Sequence, residues 1–255
     1  MKYFYSCHTD IGTARTVNQD SLVIKSFQQP GHSLFLAAVC DGVGGLSQGE
    51  LASRKTAEMI SDWFDFEIPQ ILKDRNVENV LRNRLRQLIT DTNKEIYYEG
   101  LKRQISNGTT MSVLLVWNDC YLIGHVGDSR IYEIGRQARQ LTRDHTWIAR
   151  EVARGHMTKE QARHDSRQNI VLQCIGGARE IEPWMFQGNM ETQTTFLICT
   201  DGFWHYLKED ECCRQLGPSN VTDETVLERS LLEMTEQMKR RGETDNITAI
   251  AVHIY

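Results

Sequence analysis

The sequence has few of the residues that mark secreted, membrane-spanning or zinc-binding proteins. Its seven cysteines are odd in number, and none forms a Cys-x-x-Cys pair. No window approaches the roughly 18 uncharged apolar residues that a membrane-spanning helix needs. The N-terminus, MKYFYSCHTD, lacks the apolar stretch of a signal peptide. We therefore expect a cytoplasmic protein with free thiols, without a zinc site and without a membrane partner.

Proline and surplus basic charge are also scarce. The four prolines do not cluster, and the chain has no repeat, no low-complexity tract and no Gly/Ser-rich linker. These features predict one domain over residues 1–255. The net charge of −5 does not favour a nucleic-acid partner, because nucleic-acid-binding proteins are usually basic on at least one face. A hydrophobic content of 40% is enough for a sizeable core.

Apolar periodicity predicts an α+β arrangement of strands and helices. The dipeptide Asn118-Asp119 is typical of a hairpin turn, which favours a mainly antiparallel sheet system with helices packed on it. Ser47 with Glu50 is a capping-box pattern at the start of a helix. The polar stretch 142–177, rich in Arg and His, is interpreted as a surface insertion. Strands are predicted at residues 22–27, 34–40, 110–117, 120–126, 131–134, 195–199 and 247–254, and helices after residue 47, at 77–101 and at 224–239.

Several apolar strands of this chain end in an acidic residue. One Asp-Gly after a strand is most often an ordinary turn, but the repetition weakens that interpretation for the set. If the last strand runs antiparallel to the others, its start lies at the edge where they end, and four carboxylates converge there. The residues concerned are Asp41 with Gly42, Asp128 after Gly127, Asp201 with Gly202, and Asp245 before Asn246.

Converging carboxylates need compensating positive charge. Like charges a few ångströms apart repel, and burial adds a desolvation cost, so protons or cations must neutralise them. Carboxylate and water oxygens are the ligands that Mg²⁺ and Mn²⁺ prefer. Because Gly42 has no side chain, its carbonyl can approach an ion closely. The pattern therefore predicts a hard-cation site at the rim of a sheet.

Arg15, in the segment GTARTVNQD, is a candidate phosphate ligand. An arginine can donate two parallel hydrogen bonds to a phosphate, although a lone loop arginine is more often an ordinary surface residue. The glycine-rich run that ends at Gly45 lacks the lysine of a phosphate-binding P-loop, so we interpret it as a turn ahead of a helix. The chain has no Cys-x5-Arg loop, which argues against a cysteine-based phosphatase.

Taken together, these segments resemble the PPM family, the metal-dependent type 2C protein phosphatases, and especially its bacterial members. Each segment alone is weak evidence, but the segments follow the family's order over nearly the whole chain. The matching segments are residues 15–20, 41–45, 49–50 with 52–53, 108–110, 126–130, 141–145, 200–202 and 244–246.

The resemblance implies a fold and a reaction. The fold would be a four-layer αββα sandwich, in which two antiparallel β-sheets are flanked by helices. The reaction would be metal-dependent hydrolysis of phosphoserine and phosphothreonine in proteins, by in-line attack of a metal-bridging water, in opposition to a bacterial serine/threonine kinase. The insertion at 142–177 resembles the family's flap beside the site. We expect a monomer.

The resemblance also implies the metal ligands. Two Mn²⁺ or Mg²⁺ ions would be bridged by Asp41, and the carbonyl of Gly42 would bind one of them. Asp201 and Asp245 would complete the coordination of the other. Asp128, together with Asp201, matches the position of a third, weaker ion.

The phosphate ligand and its surroundings follow from the same resemblance, with two departures. Arg15 matches the phosphate-binding arginine, and Gln19, Asp20 and Asn246 are expected behind the metal ligands. Gln19 stands where some relatives have a glutamate. Val43 stands where many eukaryotic relatives have a histidine proposed as the general acid, so the proton for the leaving group would come from water or another residue.

Three alternatives remain open at this point. A catalytically dead relative that binds phosphoproteins as a scaffold would have lost ligand acids, whereas Asp41, Asp201 and Asp245 are all present. A metal-dependent nuclease or nucleotide hydrolase would favour a basic surface. A regulatory phosphatase devoted to one protein, such as an anti-sigma-factor antagonist, would have the same motifs.

Overall fold

The structure is a computed structural model that describes residues 2–43, 48–162, 165–167, 170–190 and 193–255. Within these ranges the chain forms ten strands and seven helices. The strands are β1 (Tyr3–Asp10), β2 (Asp20–Gln29), β3 (His32–Asp41), β4 (Met111–Trp117), β5 (Cys120–Val126), β6 (Arg130–Ile134), β7 (Ala138–Gln140), β8 (Trp184–Asn189), β9 (Thr194–Cys199) and β10 (Ile247–Ile254). The helices are α1 (Gly49–Ile71), α2 (Val77–Arg103), α3 (Trp147–Ala153), α4 (Lys159–Ala162), α5 (Asp201–Trp204), α6 (Glu209–Leu216) and α7 (Glu224–Arg240).

The strands form two five-stranded sheets. The first has the order β1-β10-β9-β6-β7, and the second has the order β2-β3-β4-β5-β8. Every neighbouring pair of strands is antiparallel. Helices α5, α6 and α7 pack against the first sheet, and α1 and α2 pack against the second. This architecture confirms the α+β sandwich that the sequence predicted.

Strand β3 shows why the sandwich has four layers. Its even-numbered residues from Leu34 to Cys40 lie in an apolar cluster with α1 and α2. Its odd-numbered residues from Phe35 to Val39 lie in a second cluster between the two sheets. Because side chains alternate along a strand, a strand buried on both faces has a continuous apolar sequence. Strands β9 and β10 divide in the same way between the sheet interface and the helices on the other side.

The ends of the long helices follow from local chemistry. Helix α2 begins after Asn76, whose side-chain oxygen accepts a hydrogen bond from the backbone nitrogen of Asn79. It ends where Gln104 takes a left-handed conformation with φ of 56°, which places its end beyond the predicted one. Helix α1 begins after Gln48, which makes no side-chain capping bond. Ser47, part of the predicted capping box, lies outside the described residues.

The sequence patterns missed β1, β7 and β8 and the short helices α5 and α6. Strands β1 and β8 lie at the edges of their sheets. Only Ser6 of β1 and Met185 of β8 are buried, so neither strand has an apolar run to identify it. The polar stretch 142–177 contains α3 and α4, in line with its weak helical pattern. None of the helices within the described residues has the length and apolar character needed to cross a membrane.

Candidate active site

The acidic residues singled out in the sequence lie together at one edge of the sandwich. Asp41 ends β3 in the second sheet, whereas Asp201 follows β9 and Asp245 precedes β10 in the first sheet. Asp128 lies in the connection from β5 to β6, which crosses from one sheet to the other. Asp20 begins β2 and is paired with Asp41 in the strand register. We call these five residues the acid cluster.

Contacts within the acid cluster show how closely its members approach. The carboxyl groups of Asp41 and Asp201 lie close enough to each other to shift each other's pKa. One carboxylate oxygen of Asp20 accepts a 2.9 Å hydrogen bond from the hydroxyl of Thr200. The other oxygen of Asp20 is buried without any hydrogen-bond partner. A buried carboxylate oxygen without a partner is costly, so Asp20 brings an unsatisfied acceptor to the acid cluster.

Burial and mutual repulsion shift the titration of these acids. Burial, followed by the charges of Asp20, Asp201 and Asp128, raises the pKa of Asp41 well above its ordinary value. Burial and the charge of Asp201 likewise raise the pKa of Asp128 to about 7. Burial and the nearby charges of Asp201 and Asp245 raise the pKa of Asp20 to about 7. The acid cluster therefore holds more negative charge than its protein surroundings neutralise.

The donor atoms of the acid cluster fit a hard divalent cation. All five side chains offer carboxylate oxygens, the ligands of Mg²⁺ and Mn²⁺. Gly42 lies so close to Gly49 that an added Cβ would be 2.6 Å from a backbone carbon of Gly49, so the chain excludes a side chain beside the acids. As the side chains stand, no three acidic, histidine or cysteine side chains within the described ranges are arranged to hold an ion. An arginine contact occupies both carboxylate oxygens of Asp245.

That arginine is Arg15, in the loop between β1 and β2. Its Nε and Nη2 donate hydrogen bonds of 2.8 and 2.6 Å to the two carboxylate oxygens of Asp245. The hydrogen bonds to Asp245 raise the pKa of the Arg15 guanidinium, and the charges of Asp201 and Asp41 act in the same direction. The side chain of Arg15 is 41% exposed. Arg15, the predicted phosphate ligand, therefore lies at the acid cluster, and part of its side chain is accessible to solvent.

Asn246 holds the loop that carries Arg15. Its Nδ2 donates hydrogen bonds to the carbonyl of Ile11 at 2.8 Å and to that of Val17 at 3.1 Å. Its Oδ1 accepts a 2.9 Å hydrogen bond from the backbone nitrogen of Gln19. Asn246 N also donates a 2.8 Å hydrogen bond to Asp245 Oδ1, so Asn246 contacts the proposed metal ligand as well as both ends of the Arg15 loop.

Gln19 connects the Arg15 loop with strand β3 and helix α1. Its backbone oxygen accepts hydrogen bonds from Gly42 N at 3.1 Å and from the hydroxyl of Ser53 at 2.5 Å. Its side-chain amide lies near Gly49. These contacts lie directly beside Asp41.

The glycine-rich run is described only in part. Its Val43 donates its N–H to the carbonyl of Gly108, and residues 44–45 lie outside the described part of the chain.

Sequence reasoning missed two polar residues at the acid cluster, His205 and Glu243. The Nδ1 of His205 is 3.2 Å from a carboxylate oxygen of Glu243, and its Nε2 is 3.8 Å from Asp201 Oδ2. The other oxygen of Glu243 accepts hydrogen bonds from the backbone nitrogens of Thr244 and Asp245. The spacing of four residues from Asp201 to His205 was a usable signal, because such residues share one face of a helical turn.

A second arginine, Arg130, lies two residues after Asp128 of the acid cluster. It donates three hydrogen bonds of 2.7 to 3.2 Å to the carboxylate of Asp144 and one of 3.1 Å to the hydroxyl of Tyr132. Its guanidinium carbon lies 3.3 Å from the ring centre of Trp204. The indole N–H of Trp204 donates a 2.9 Å hydrogen bond to the carbonyl of Asp128. Arg130 therefore links the start of the 142–177 stretch to the backbone of the acid cluster.

Known proteins match this chain along nearly its full length. The family model described as protein phosphatase 2C matches residues 12–249. A protein of Listeria monocytogenes named serine/threonine phosphatase stp is 30% identical over 249 residues, which are 96% of this chain and 93% of that protein.

Solved structures share the fold. The serine/threonine phosphatase Stp1 from Staphylococcus aureus superposes with a TM-score of 0.88 at 28% identity, covering 100% of this chain and 96% of that one. The catalytic domain of the phosphatase PstP, solved with two manganese ions, superposes with a TM-score of 0.78 at 23% identity, covering 99% of each chain. At that identity it shows a shared fold alone. The family match and the 30% identical relative show that the chain belongs to the protein phosphatase 2C family, which makes it an enzyme of the protein-phosphatase class, as its motifs implied.

Proposed function

We propose that this enzyme hydrolyses phosphoserine and phosphothreonine in proteins with divalent metal ions bound at the acid cluster. The observation that carries the proposal is the convergence of five carboxylates from both sheets beside the exposed guanidinium of Arg15. The family match and the serine/threonine phosphatase name of the Listeria relative support the reaction. Phosphoproteins, as products of a serine/threonine kinase, are the proposed substrates.

The metal ligands would be Asp41, the Gly42 carbonyl, Asp201 and Asp245, with Asp128 and Asp201 available to a third ion. When bound, Mn²⁺ or Mg²⁺ supplies a Lewis acid that lowers the pKa of the attacking water and offsets charge on the phosphate. The described residues prepare this site by burying oxygen donors that they do not neutralise. Asp20 contributes an unpaired buried oxygen behind Asp41.

Arg15 would bind the phosphate group of the substrate. Its two donating nitrogens, now on Asp245, match the spacing of two phosphate oxygens. Arg15 must leave Asp245 to do so, which its exposed position permits. The contacts of Asn246 restrain the ends of the loop during that change, so that the guanidinium moves and the backbone stays in place.

Residues 1–255 would form one catalytic domain, with the stretch 142–177 as a flap beside the site. The base of this stretch is fixed at the acid cluster, because His145 N donates a 2.7 Å hydrogen bond to the carbonyl of Gly127, next to Asp128. Arg130 holds Asp144 at the same base. Helices α3 and α4 lie beyond it. None of these observations favours the scaffold alternative, since every proposed ligand is present.

The test is release of phosphate from a phosphothreonine peptide with and without Mn²⁺. We expect turnover that a chelator abolishes. Asp41→Asn and Asp201→Asn should each lower turnover by at least about 100-fold, because each removes charge that holds the ions. Asp65→Asn is the matched control, since Asp65 is an exposed carboxylate paired with Lys25.

Circular dichroism and thermal unfolding should show that the two site variants are folded. Turnover that survives chelation would contradict the metal-dependent mechanism. A folded wild-type protein that binds phosphopeptide but releases no phosphate with Mn²⁺ would support the scaffold instead.

A further inference from the structure

Glu243 is a buried carboxylate for which the proposed reaction has no use. The residue is 5% exposed, although it lies two positions before the proposed ligand Asp245. A buried charge is retained only at a cost unless it is paired and hydrogen-bonded. Its contacts therefore indicate what it does.

Each oxygen of Glu243 has a separate task. Oε1 accepts hydrogen bonds from Thr244 N at 2.8 Å and from Asp245 N at 2.9 Å, so it fixes the backbone that carries Asp245. Oε2 contacts His205 Nδ1 at 3.2 Å. The carboxylate thus joins the segment before β10 to the helical turn α5 that follows β9.

His205 continues this connection to the second proposed ligand. Its Nε2 lies 3.8 Å from Asp201 Oδ2, and its ring packs against Trp204 with ring centres 4.6 Å apart. Each ring nitrogen of His205 thus lies beside a different carboxylate, Nδ1 beside Glu243 and Nε2 beside Asp201.

The two proposed ligands are also held close by their backbones. Gly202, next to Asp201, leaves no room for a side chain, since an added Cβ would lie 2.2 Å from the carbonyl oxygen of Asn246. The chain segments that carry Asp201 and Asp245 therefore touch. A link between their side chains can set the spacing of the two carboxylates.

We propose that His205 and Glu243 form a positioning pair that holds the carboxylates of Asp201 and Asp245 at the spacing needed to bind a divalent cation. This inference rests on the proposed function, because it concerns the same metal site. Residues behind metal ligands orient those ligands, and their loss commonly weakens metal binding about 10- to 100-fold.

Charge and positioning predict different results for one substitution. Any charge that the His205 ring carries is positive, so His205→Ala cannot weaken binding of Mn²⁺ through charge alone. If His205 positions Asp201, the same variant binds Mn²⁺ more weakly. Weaker Mn²⁺ binding by His205→Ala would therefore show that His205 positions Asp201, because loss of charge cannot produce that result.

The experiment is calorimetric titration of the full chain with Mn²⁺, without substrate. We expect a dissociation constant about 10-fold higher for His205→Ala than for the wild type. The double variant His205→Ala, Glu243→Gln should lose little more, because the first change already breaks the pair. His156→Ala is the matched control: His156 contacts Glu151 at 2.9 Å on the exposed surface of the 142–177 stretch, and Mn²⁺ binding should not change.

Four outcomes separate this inference from the proposed function. If the wild type binds Mn²⁺ and folded His205→Ala binds it equally or more tightly, the positioning pair is wrong while the metal site stands. If the wild type binds no Mn²⁺, both proposals fail. If His205→Ala does not fold, His205→Gln, which keeps one N–H donor, is titrated in its place with the same criterion. Unfolding of both variants in chelator would assign the pair to fold stability alone and overturn its role in metal binding.

Discussion

Arg15 and Arg130 both lie near the acid cluster, and each makes a forked contact with one carboxylate, Asp245 and Asp144 respectively. Arg130 also contacts Tyr132 and stacks on Trp204, and its side chain is 21% exposed. The described contacts of the Arg15 side chain all go to Asp245, and 41% of that side chain is exposed. One arginine is enclosed by partners, and the other is open on one side.

The difference shows how the fold uses the same residue type, arginine, in two different roles. The ion pair between Arg130 and Asp144 is largely buried, so removing either residue leaves the other without its charged partner in a poorly solvated place. Arg15 can exchange Asp245 for another anion, because solvent reaches it and an exposed pair is worth little. Arg130 should therefore matter for folding and Arg15 for catalysis.

The largest effect should follow from Arg130→Ala. The side chain of Asp144 is 9% exposed and would lose its charged partner, so the free energy of unfolding should fall by about 3–5 kcal/mol. Chemical denaturation monitored by circular dichroism measures this. Arg130→Lys should lose less, since it keeps the charge but not the fork. If the free energy of unfolding falls by less than about 1 kcal/mol, the Arg130–Asp144 pair contributes no more than an exposed ion pair.

The next effect should follow from Arg15→Ala, and it should be an effect on turnover. Loss of a donor to the phosphate should lower the rate about 100-fold, whereas the free energy of unfolding should change by less than about 1 kcal/mol. Steady-state kinetics with a phosphopeptide and denaturation of the same sample measure both. The contrast between the two arginines breaks down if Arg15→Ala costs as much stability as Arg130→Ala.

The smallest effect should be on the pH dependence of stability. It arises because the acid cluster has more carboxylates than the single charge of Arg15 can neutralise. The folded-state pKa of Asp20 and of Asp128 is about 7, above the usual value near 4, so the folded protein binds more protons between these pH values. The resulting stability is present below pH ~4 and is lost as pH rises through ~7.

Metal-free protein in chelator should therefore lose unfolding free energy as the pH rises from 5 to 8. Asp128→Asn should flatten the profile, and Asp65→Asn should leave it unchanged. Denaturation at a series of pH values measures this. A profile that rises over the same range would mean that Arg15 already neutralises the acid cluster.

Strongly patterned parts of the fold could be predicted from the sequence. The bounds predicted for β5 and β10, 120–126 and 247–254, agree with the structure. Both strands are apolar on nearly every residue and are bounded by turns or polar residues, so the pattern has little ambiguity. Edge strands β1 and β8 were missed because each has a single buried residue, so neither has a long apolar run.

The candidate site divides in a similar way. The position of Asp41 and Asp201 at strand ends is visible in the sequence, because each follows an apolar run directly. The contacts of Asn246 with the Arg15 loop are not, since more than 220 positions separate Asn246 from Ile11, Val17 and Gln19. Glu243 was missed for the same reason: its burial depends on His205, which lies in a different element.

The sequence by itself determined the element types, the acids at strand ends and the presence of Arg15, because each of these depends on residues that are neighbours along the chain. Only the tertiary structure decided which arginine is enclosed and which is open. Arg130 and Arg15 have the same guanidinium, but Trp204 and Asp144 reach Arg130 from other elements, while Tyr132 lies two residues along the same strand. Burial and pairing are properties of the packed molecule, and they separate two side chains of identical chemistry.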